Sequence, residues 1–420
     1  MSNDYSENKT QAHQKVCFFM FFGVHTSLLI NIDGTVKIYD KLIKFIVFFT
    51  GPFGAQYNVI CAGIILSLIP ILIIFSIFQK KIYFGFTGAQ IINTKKGEKM
   101  LPNDILEKIE KLCVNKKPII NSAREINYKY RNESGKNKIL VKSDLDSQAY
   151  SVYRMPATYE VCCNVFRQLS KILHEINFDT LLDVGSGTGA STLACVENFS
   201  FKKAECYERE ASMINCAKTL LSDYIDEFNI SWEQKDILKS TYSEKFDMII
   251  SSYVLNEFDY ASRLITVKKL WDITNNIFVV IEPGTPEGFR QIKQIRDALL
   301  KEGAYITAPC TQSGGECFLP ENDWCHFSCR VPRTKIMKQI KNAEVPYEDE
   351  KFCYMAFSKN LFQISGLRVL KHPYYRPKVV EMEVCSEAGV KKIVITKNNK
   401  ERYREARNAK IGDIIKRNKL

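Results

Sequence analysis

The sequence predicts an α/β fold built on a parallel sheet with helices on both faces, and three observations predict it. A short apolar strand, Thr180–Val184, runs straight into the glycine loop Gly185-Ser186-Gly187-Thr188-Gly189, and a helical stretch, Ala190–Phe199, follows at once. Strand, glycine turn and helix in that order are the context in which closely spaced glycines mark a ligand-binding loop. Four further apolar strands then alternate with helical segments as far as Pro283-Gly284, the pattern of a sheet buried on both sides.

The chain has 420 residues, enough for two domains or one large domain with appendages. Its 45% hydrophobic and 25% charged residues are ordinary for a globular protein. Fourteen cysteines in a chain this well supplied with core residues argue against a secreted disulfide scaffold. Cys162, Cys163, Cys195, Cys206, Cys216 and Cys353 sit in periodic segments as small apolar residues, which fits a reducing compartment.

Residues 1–99 differ in character from the rest. Val59–Phe78 is twenty residues without a charge, closed by Gln79-Lys80-Lys81, and is long enough to span a bilayer. The stretch 51–90, from Gly54-Ala55-Gln56-Tyr57-Asn58 to Phe84-Gly85-Phe86-Thr87-Gly88-Ala89, resembles the C-terminal end of a sugar-type ABC transporter permease. The expectation is a transmembrane helix over 59–78 in a segment that is either a fused or misread neighbour or a membrane anchor. A working protein starting near Met100 follows, with a mainly helical region over 100–175, a main domain over 176–360 and an extension over 361–420.

The spacing Asp183-x-Gly185-x-Gly187-x-Gly189 differs from the dinucleotide fingerprint and resembles motif I of class I S-adenosylmethionine (SAM) methyltransferases, a Rossmann-like fold. Ala204–Glu208 is the second strand. It ends in Glu208, about twenty residues beyond the loop, where an acid accepts ribose hydroxyls. Ile230–Gln234 is the third strand, followed by Asp236 at the place where such folds contact the adenine amine. Phe246–Ser251 and Ile277–Glu282 are the fourth and fifth. Asp183, Gly185, Gly187, Gly189, Glu208 and Asp236 are therefore the expected SAM-binding residues.

No catalytic residue stands out. The segment after the fourth strand reads Ser251-Ser252-Tyr253-Val254-Leu255-Asn256-Glu257, without the Asn/Asp-Pro-Pro-Tyr/Phe motif of base N-methyltransferases. Asn256, Glu257 and Glu282 have two readings, polarising an acceptor or serving structure by capping helices or holding the loop.

Cys310, Cys317 and Cys325 are separated by six and seven residues, and Cys385 lies sixty further on. Four thiolates close a zinc or iron–sulfur site, but short zinc fingers use tighter Cys-x₂-Cys knuckles. On spacing alone the thiols are either ligands or unrelated buried groups, with Cys329 and His326 as spare candidates. The strand at Tyr305–Ala308 is expected to run parallel and to deliver Cys310 near the SAM cleft. Val379–Thr396 reads as a hairpin turning at Ser386-Glu387-Ala388-Gly389.

Longer motifs resemble one family. They are Ala149-Tyr150 with Arg154-Met155-Pro156-Ala157-Thr158-Tyr159, Pro283-Gly284-Thr285-Pro286-Glu287-Gly288-Phe289, Asp323-Trp324-Cys325-His326-Phe327-Ser328 and Tyr347–Tyr354, with Tyr403, Arg407 and Gly412-Asp413 near the end. The family is the methyltransferase-like proteins of the small ribosomal subunit, found in mitochondria and bacteria. The resemblance implies a four-cysteine [4Fe–4S] site on Cys310, Cys317, Cys325 and Cys385, in a cysteine insertion over 309–346, with zinc as the alternative metal. It also implies a role in small-subunit assembly or translation. Thr311-Gln312 departs from the Pro-His usual after the first cysteine.

The charge is uneven. Of a net +12, residues 391–420 supply +8, from eleven Lys/Arg against Glu401, Glu405 and Asp413. A basic tail attracts polyanions. The expected partner is small-subunit rRNA, with Arg124, Lys129, Arg131 and Arg154 extending the surface or, for Arg154, anchoring the following turn. The leading expectation is thus a SAM-binding, iron–sulfur, rRNA-binding factor. An active rRNA or ribosomal-protein methyltransferase and a membrane-tethered accessory protein are the alternatives. The richness in lysine, asparagine and isoleucine suggests an AT-rich bacterial genome and a cytoplasmic location for residues 100–420, or the mitochondrial matrix in a eukaryote.

Overall fold

The computed structural model describes residues 50–51, 54–55, 101–113, 115–133, 140–362 and 366–416. Contacts divide the chain into residues 1–96 and 97–420. In the first unit, Thr50 and Gly51 pair antiparallel with Ala55 and Gly54. Beyond this turn, the permease-like stretch and the expected membrane helix 59–78 lie outside the described residues. Among the described residues no helix is long and apolar enough to cross a membrane.

The second unit opens with four helices: α1 (Asn103–Leu112), α2 (Lys116–Asn132), α3 (Asp144–Tyr153) and α4 (Met155–Ser170). Ile119, Ala123 and Ile126 are the buried stripe of α2, at the spacing of one helical face. Ser143 caps α3 by accepting from the Asp146 amide. α4 is buried almost all round, from Met155 to Leu169, because it packs between the sheet and other helices.

The main sheet then builds from β1 (Thr180–Val184), α5 (Ala190–Val196), β2 (Lys203–Glu208), α6 (Ala211–Leu220), β3 (Ile230–Gln234), β4 (Phe246–Ser252), α7 (Tyr260–Asp272), β5 (Thr274–Pro283) and α8 (Pro286–Lys301). The later strands are β6 (Tyr305–Ala308), β7 (Phe327–Pro332) and β8 (Tyr347–Ser358), with α9 (Lys335–Lys341) before β8. Strand order is β3-β2-β1-β4-β5-β8-β6, with β7 paired to the first half of β8. β1 to β5 are parallel to their neighbours, and β8 runs antiparallel between β5 and β6. This is the mixed Rossmann-like sheet of SAM methyltransferases. The strands expected to be parallel are so, and β8 adds one reversed strand that the sequence reading does not include.

Alternate residues of the strands feed two cores, as the two-residue period of a strand requires. Leu181, Met248, Ile250, Val279 and Ile281 face one core with α4 and α5. Leu182, Val184, Ile249, Phe278 and Val280 face the other with α7 and α8.

A second, five-stranded sheet holds β9 (Leu367–Val369), β10 (Tyr374–Arg376), β11 (Val379–Ser386), β12 (Gly389–Thr396) and β13 (Ile414–Ile415), with α10 (Lys400–Asn408) packed on its own small core. β11 and β12 form the expected hairpin, Ser386 pairing with Gly389. Gly389 has φ +107°, a conformation that suits glycine at a tight turn.

Candidate cofactor and cysteine cavities

Parallel strands open their carboxyl ends to a ligand, and the loop after β1 does so here. Gly185, Gly187 and Gly189 have φ of +68°, +54° and +80°. The amides of Gly185 and Ser186 donate to the Tyr207 carbonyl at 2.7 and 3.3 Å, which ties the loop to the end of β2. Gly185, Gly187, Glu208 and Asp236 all line one cavity. A Cβ on Gly187 would meet only a Tyr150 ring atom, at 3.9 Å, so the cavity is the space that this side chain would enter.

Glu208 closes the cavity floor. Its carboxylate accepts from the Gly187 amide and the Glu210 amide, each at 2.9 Å. Burial pushes its pKa up, against those hydrogen bonds. Asp236 stands at the rim and accepts from the Leu238 amide at 3.1 Å.

Asp183 and Gly189 do not line the cavity. Asp183 is fully buried and accepts from the Ser191 and Thr192 hydroxyls, both at 2.6 Å, so it fixes the first turn of α5. Gly189 starts α5, and a Cβ there would strike Leu221 at 2.4 Å. Both residues shape the loop from outside the cavity lining.

Other residues complete the wall. Tyr130, Tyr150, Tyr253 and Phe258 line both this cavity and a larger groove beside it. The Tyr130 and Tyr150 rings are 5.9 Å apart, and Tyr130 is hydrogen-bonded to Glu257. Tyr150 lies in the Ala149-Tyr150 motif, whereas nothing in the sequence singles out Tyr130. Tyr253 has φ +60°, unusual for an aromatic residue, a strain that often marks functional turns. Glu282 is fully buried, and burial pushes its carboxyl up to about 8. It accepts from the Asn256 amide at 3.2 Å, so of its two readings the structure favours holding the 255–257 turn.

Replacing Gly187 with alanine tests the cavity directly. The left-handed backbone should cost about 1–2 kcal/mol of stability. The new methyl should weaken SAM binding by much more than that strain implies. Thermal melting read beside a SAM titration checks this, and unchanged affinity would remove the loop as the cofactor cradle.

The four expected metal-ligand cysteines share a second, mostly apolar cavity. Cys310, Cys317 and Cys325 come from the segment after β6, and Cys385 reaches it from β11. Burial pushes the Cys310 thiol up to about 12, and Cys325 and Cys385 upward as well. Arg296 and Arg368, 4% and 2% exposed, line the same cavity. Arg296 Nε and Arg368 Nη2 are buried without a hydrogen-bond partner. Orphaned N–H donors beside four thiols suit an anionic, sulfur-rich group, because an unpaired buried donor is costly. Among the described residues no three His, Cys, Asp or Glu side chains converge at metal-ligating spacing, these thiols included.

The spare candidates pack elsewhere. His326 stacks on Trp324, ring centroids 5.2 Å apart, and Cys329 lies against the first core. Cys162, Cys163, Cys195, Cys206, Cys216 and Cys353 are buried as expected.

β6 does run in the direction of the parallel strands, but Cys310 does not emerge at the glycine-loop cavity. The two cavities share no lining residue. β4, β5 and β8 lie between β1 and β6, four strand spacings of about 4.8 Å each. The inserted β8 carries the cysteine segment away.

The expected basic extension is partly engaged within the fold, while Arg124 and Arg131 are exposed. Arg154 pairs with Glu350 at 3.0 Å and lies 5.3 Å from the Tyr253 ring, so it is the anchor. Arg124 donates to the Ile340 and Gln339 carbonyls, and Lys129 pairs with Glu125. Lys391, Lys392, Lys400, Arg404, Arg407 and Lys416 are exposed on the C-terminal sheet and its helix.

A family model described as mitochondrial small ribosomal subunit Rsm22 matches residues 144–416. The chain belongs to the Rsm22 family. The match spans the glycine loop, the cysteine segment and the C-terminal sheet together. A human relative, the mitochondrial ribosome assembly protein METTL17, is 25% identical over 277 residues, covering 60% of this chain and 59% of the relative. The chain thus spans about three-fifths of the length of the curated relative it matches. Among solved structures, the magnesium protoporphyrin IX methyltransferase of Synechocystis with bound S-adenosylhomocysteine (SAH) is 11% identical, with a TM-score of 0.34, covering 49% of this chain and 85% of its own. The N-methyltransferase NodS of Bradyrhizobium japonicum with SAH is 13% identical, with a TM-score of 0.33, covering 57% and 98%. Scores this low add nothing to the strand order.

Proposed function

We propose that the protein binds small-subunit rRNA and SAM and acts as an assembly factor of the small ribosomal subunit, with a metal centre on Cys310, Cys317, Cys325 and Cys385. The observation that carries this reading is the single family match across residues 144–416. It joins the SAM-type fold to a basic C-terminal sheet in a chain whose relative is a ribosome assembly protein. Gly185, Gly187, Glu208 and Asp236 would hold SAM, and Asp183 and Gly189 would set the loop. When bound, SAM supplies a transferable methyl group.

The four thiols with Arg296 and Arg368 fit an iron–sulfur cluster, and zinc would satisfy the same donors. Such a centre would link β11 to the segment after β6 and so hold the C-terminal sheet on the methyltransferase body. Methyl transfer to rRNA or a ribosomal protein is the second reading. It is favoured by the aromatic residues shared between the cavity and the adjoining groove, and turnover of SAM with a defined acceptor would establish it. Membrane tethering depends on residues outside those described, and retention on membranes through a carbonate wash would support it.

The exposed Lys/Arg of the C-terminal sheet should neutralise phosphates. The affinity of the full chain for a small-subunit rRNA fragment should therefore fall steeply with salt, with a log–log slope of several units. Changing Lys391, Lys392, Arg404 and Arg407 together to glutamine should reduce that slope by about three to four. Filter binding between low and moderate salt measures it. A slope that the quadruple variant leaves unchanged would move the RNA surface elsewhere.

A further inference from the structure

The glycine-loop cavity is richer in carboxylate than a neutral ligand needs. Glu208, Glu210, Asp236 and Glu257 line it against Arg209 and Lys235. Arg209 is committed to Glu210 at 2.7 Å, and Lys235 to Glu233 at 3.2 Å and the Tyr207 ring. Among the described residues neither Glu208 nor Glu257 has an ion pair. Glu208 is held by backbone amides and Glu257 by the Tyr130 hydroxyl. On the same wall the Tyr253 hydroxyl, on a residue 9% exposed, has no partner.

Glu208 is buried and Glu257 partly buried, and two carboxylates that face one cavity whose cations are already paired repel each other, with burial penalising both charges. Glu257 shows the result, since burial and Glu208 push it up to about 8. The groups acting on it are Tyr130, Glu208, Arg209 and Glu210, and Arg209 and the Tyr130 hydroxyl favour its charge while the two glutamates oppose it. A cation entering the cavity would relieve this strain. SAM carries a permanent positive sulfonium. Its demethylated product, SAH, has the same adenosine and amino-acid ends but a neutral thioether.

We propose that Glu257, supported by Glu208, makes this cavity select the cationic sulfonium cofactor over its neutral demethylated product. The inference rests on the SAM-binding reading and adds a specificity-determining residue to it. A pocket of this kind is a detector of the loaded cofactor, because the product does not hold it occupied.

Isothermal titration of the full chain with SAM and SAH, at pH 7 in buffers of different ionisation enthalpy, tests this. SAM should bind about tenfold tighter than SAH or more. Its binding should release about one proton as Glu257 ionises, and SAH binding should release none. Sinefungin, which carries an amine cation near the sulfonium position, should behave as SAM does. Glu257→Gln should bring the SAM and SAH affinities within about threefold and abolish the proton release. If that variant does not fold, a pH series on the unaltered protein serves. The preference for SAM should grow from pH 6 to 9 as the carboxyl loses its proton. Equal or tighter binding of SAH, or a preference unchanged by Glu257→Gln, overturns the proposal while leaving SAM binding intact. Failure of both ligands to bind overturns the SAM-binding reading together with it.

Discussion

Replacing Arg368 with leucine is expected to release the C-terminal sheet from the methyltransferase body. Arg368 sits on β9 and is 2% exposed. Its Nε donates to the Pro309 carbonyl at 2.7 Å, and its Nη1 to Gln168 Oε1 at 2.7 Å and to the Gly412 carbonyl at 2.6 Å. One side chain thus joins α4, the segment after β6, β9 and the turn before β13. Tyr354 donates to the same Gln168 oxygen at 2.9 Å, so the network reaches the centre of β8. Leucine would take this donor from the buried Pro309 and Gly412 carbonyls and leave Gln168 Oε1 with the Tyr354 hydroxyl alone. Hydrogen bonds to a charged group contribute about 1.5–3 kcal/mol each, and an orphaned buried acceptor costs a further amount of similar order. The expected loss is about 3–5 kcal/mol for the part of the fold that unfolds with this sheet. Lysine should recover little, because it lacks the planar fork that reaches three acceptors. Urea denaturation of the full chain checks the magnitude. A loss below about 1 kcal/mol would mean that the sheet is held by its apolar contacts instead.

The second large effect concerns the thiols. Protein purified without oxygen should carry about four irons and four sulfides per chain, or one zinc if the site takes that metal. Cys310→Ser and Cys385→Ser should each remove the metal. Cys329→Ser and Cys353→Ser should keep it, because Cys329 does not line the cavity and the Cys353 thiol donates to the Cys325 carbonyl at 3.1 Å. Cys385→Ser should also weaken rRNA binding, since one attachment of the sheet to the body, through β11, would be lost with the metal while the Arg368 network remains. Elemental analysis with a visible spectrum decides the first point. Metal lost equally from all four variants would place the ligands elsewhere, and a metal-free protein would return the cysteines to the core. Unchanged rRNA affinity in a metal-free Cys385→Ser protein would separate the centre from the RNA surface.

Much of the sheet was legible because its strands carry strong local signals. Thr180–Val184 and Ile230–Gln234 form with the bounds their apolar patterns suggest. β5 begins three residues before its apolar run, at Thr274, because polar Asn275 and Asn276 continue the strand as it leaves the core. α5 ends at Val196 rather than Phe199. The Phe199 ring instead packs edge-on against Phe166 and Phe178, a tertiary contact that no local pattern announces.

The direction of β8 was not legible. Its first half, Tyr347-Glu348-Asp349-Glu350-Lys351, is mostly charged, and its insertion between β5 and β6 is a tertiary choice. That one insertion is also why Cys310 was misplaced relative to the glycine loop. In the glycine-loop cavity, the lining positions Gly185, Gly187, Glu208 and Asp236 stand out by their spacing as candidates. Tyr130 and Glu257 meet only because α2 and the turn after β4 cover the same opening. Arg154 shows the converse, since a cation that looks available in sequence is taken by Glu350 once β8 is in place.

This Rsm22-family chain is proposed to work on the small ribosomal subunit through its basic C-terminal sheet. Ultraviolet cross-linking of the full chain in growing cells, with sequencing of the attached RNA and mapping of the attached peptides, tests it most directly. The account predicts cross-links concentrated in small-subunit rRNA and carried by peptides within residues 389–416. Cross-links spread over unrelated RNAs, or confined to peptides far from that sheet, would contradict it.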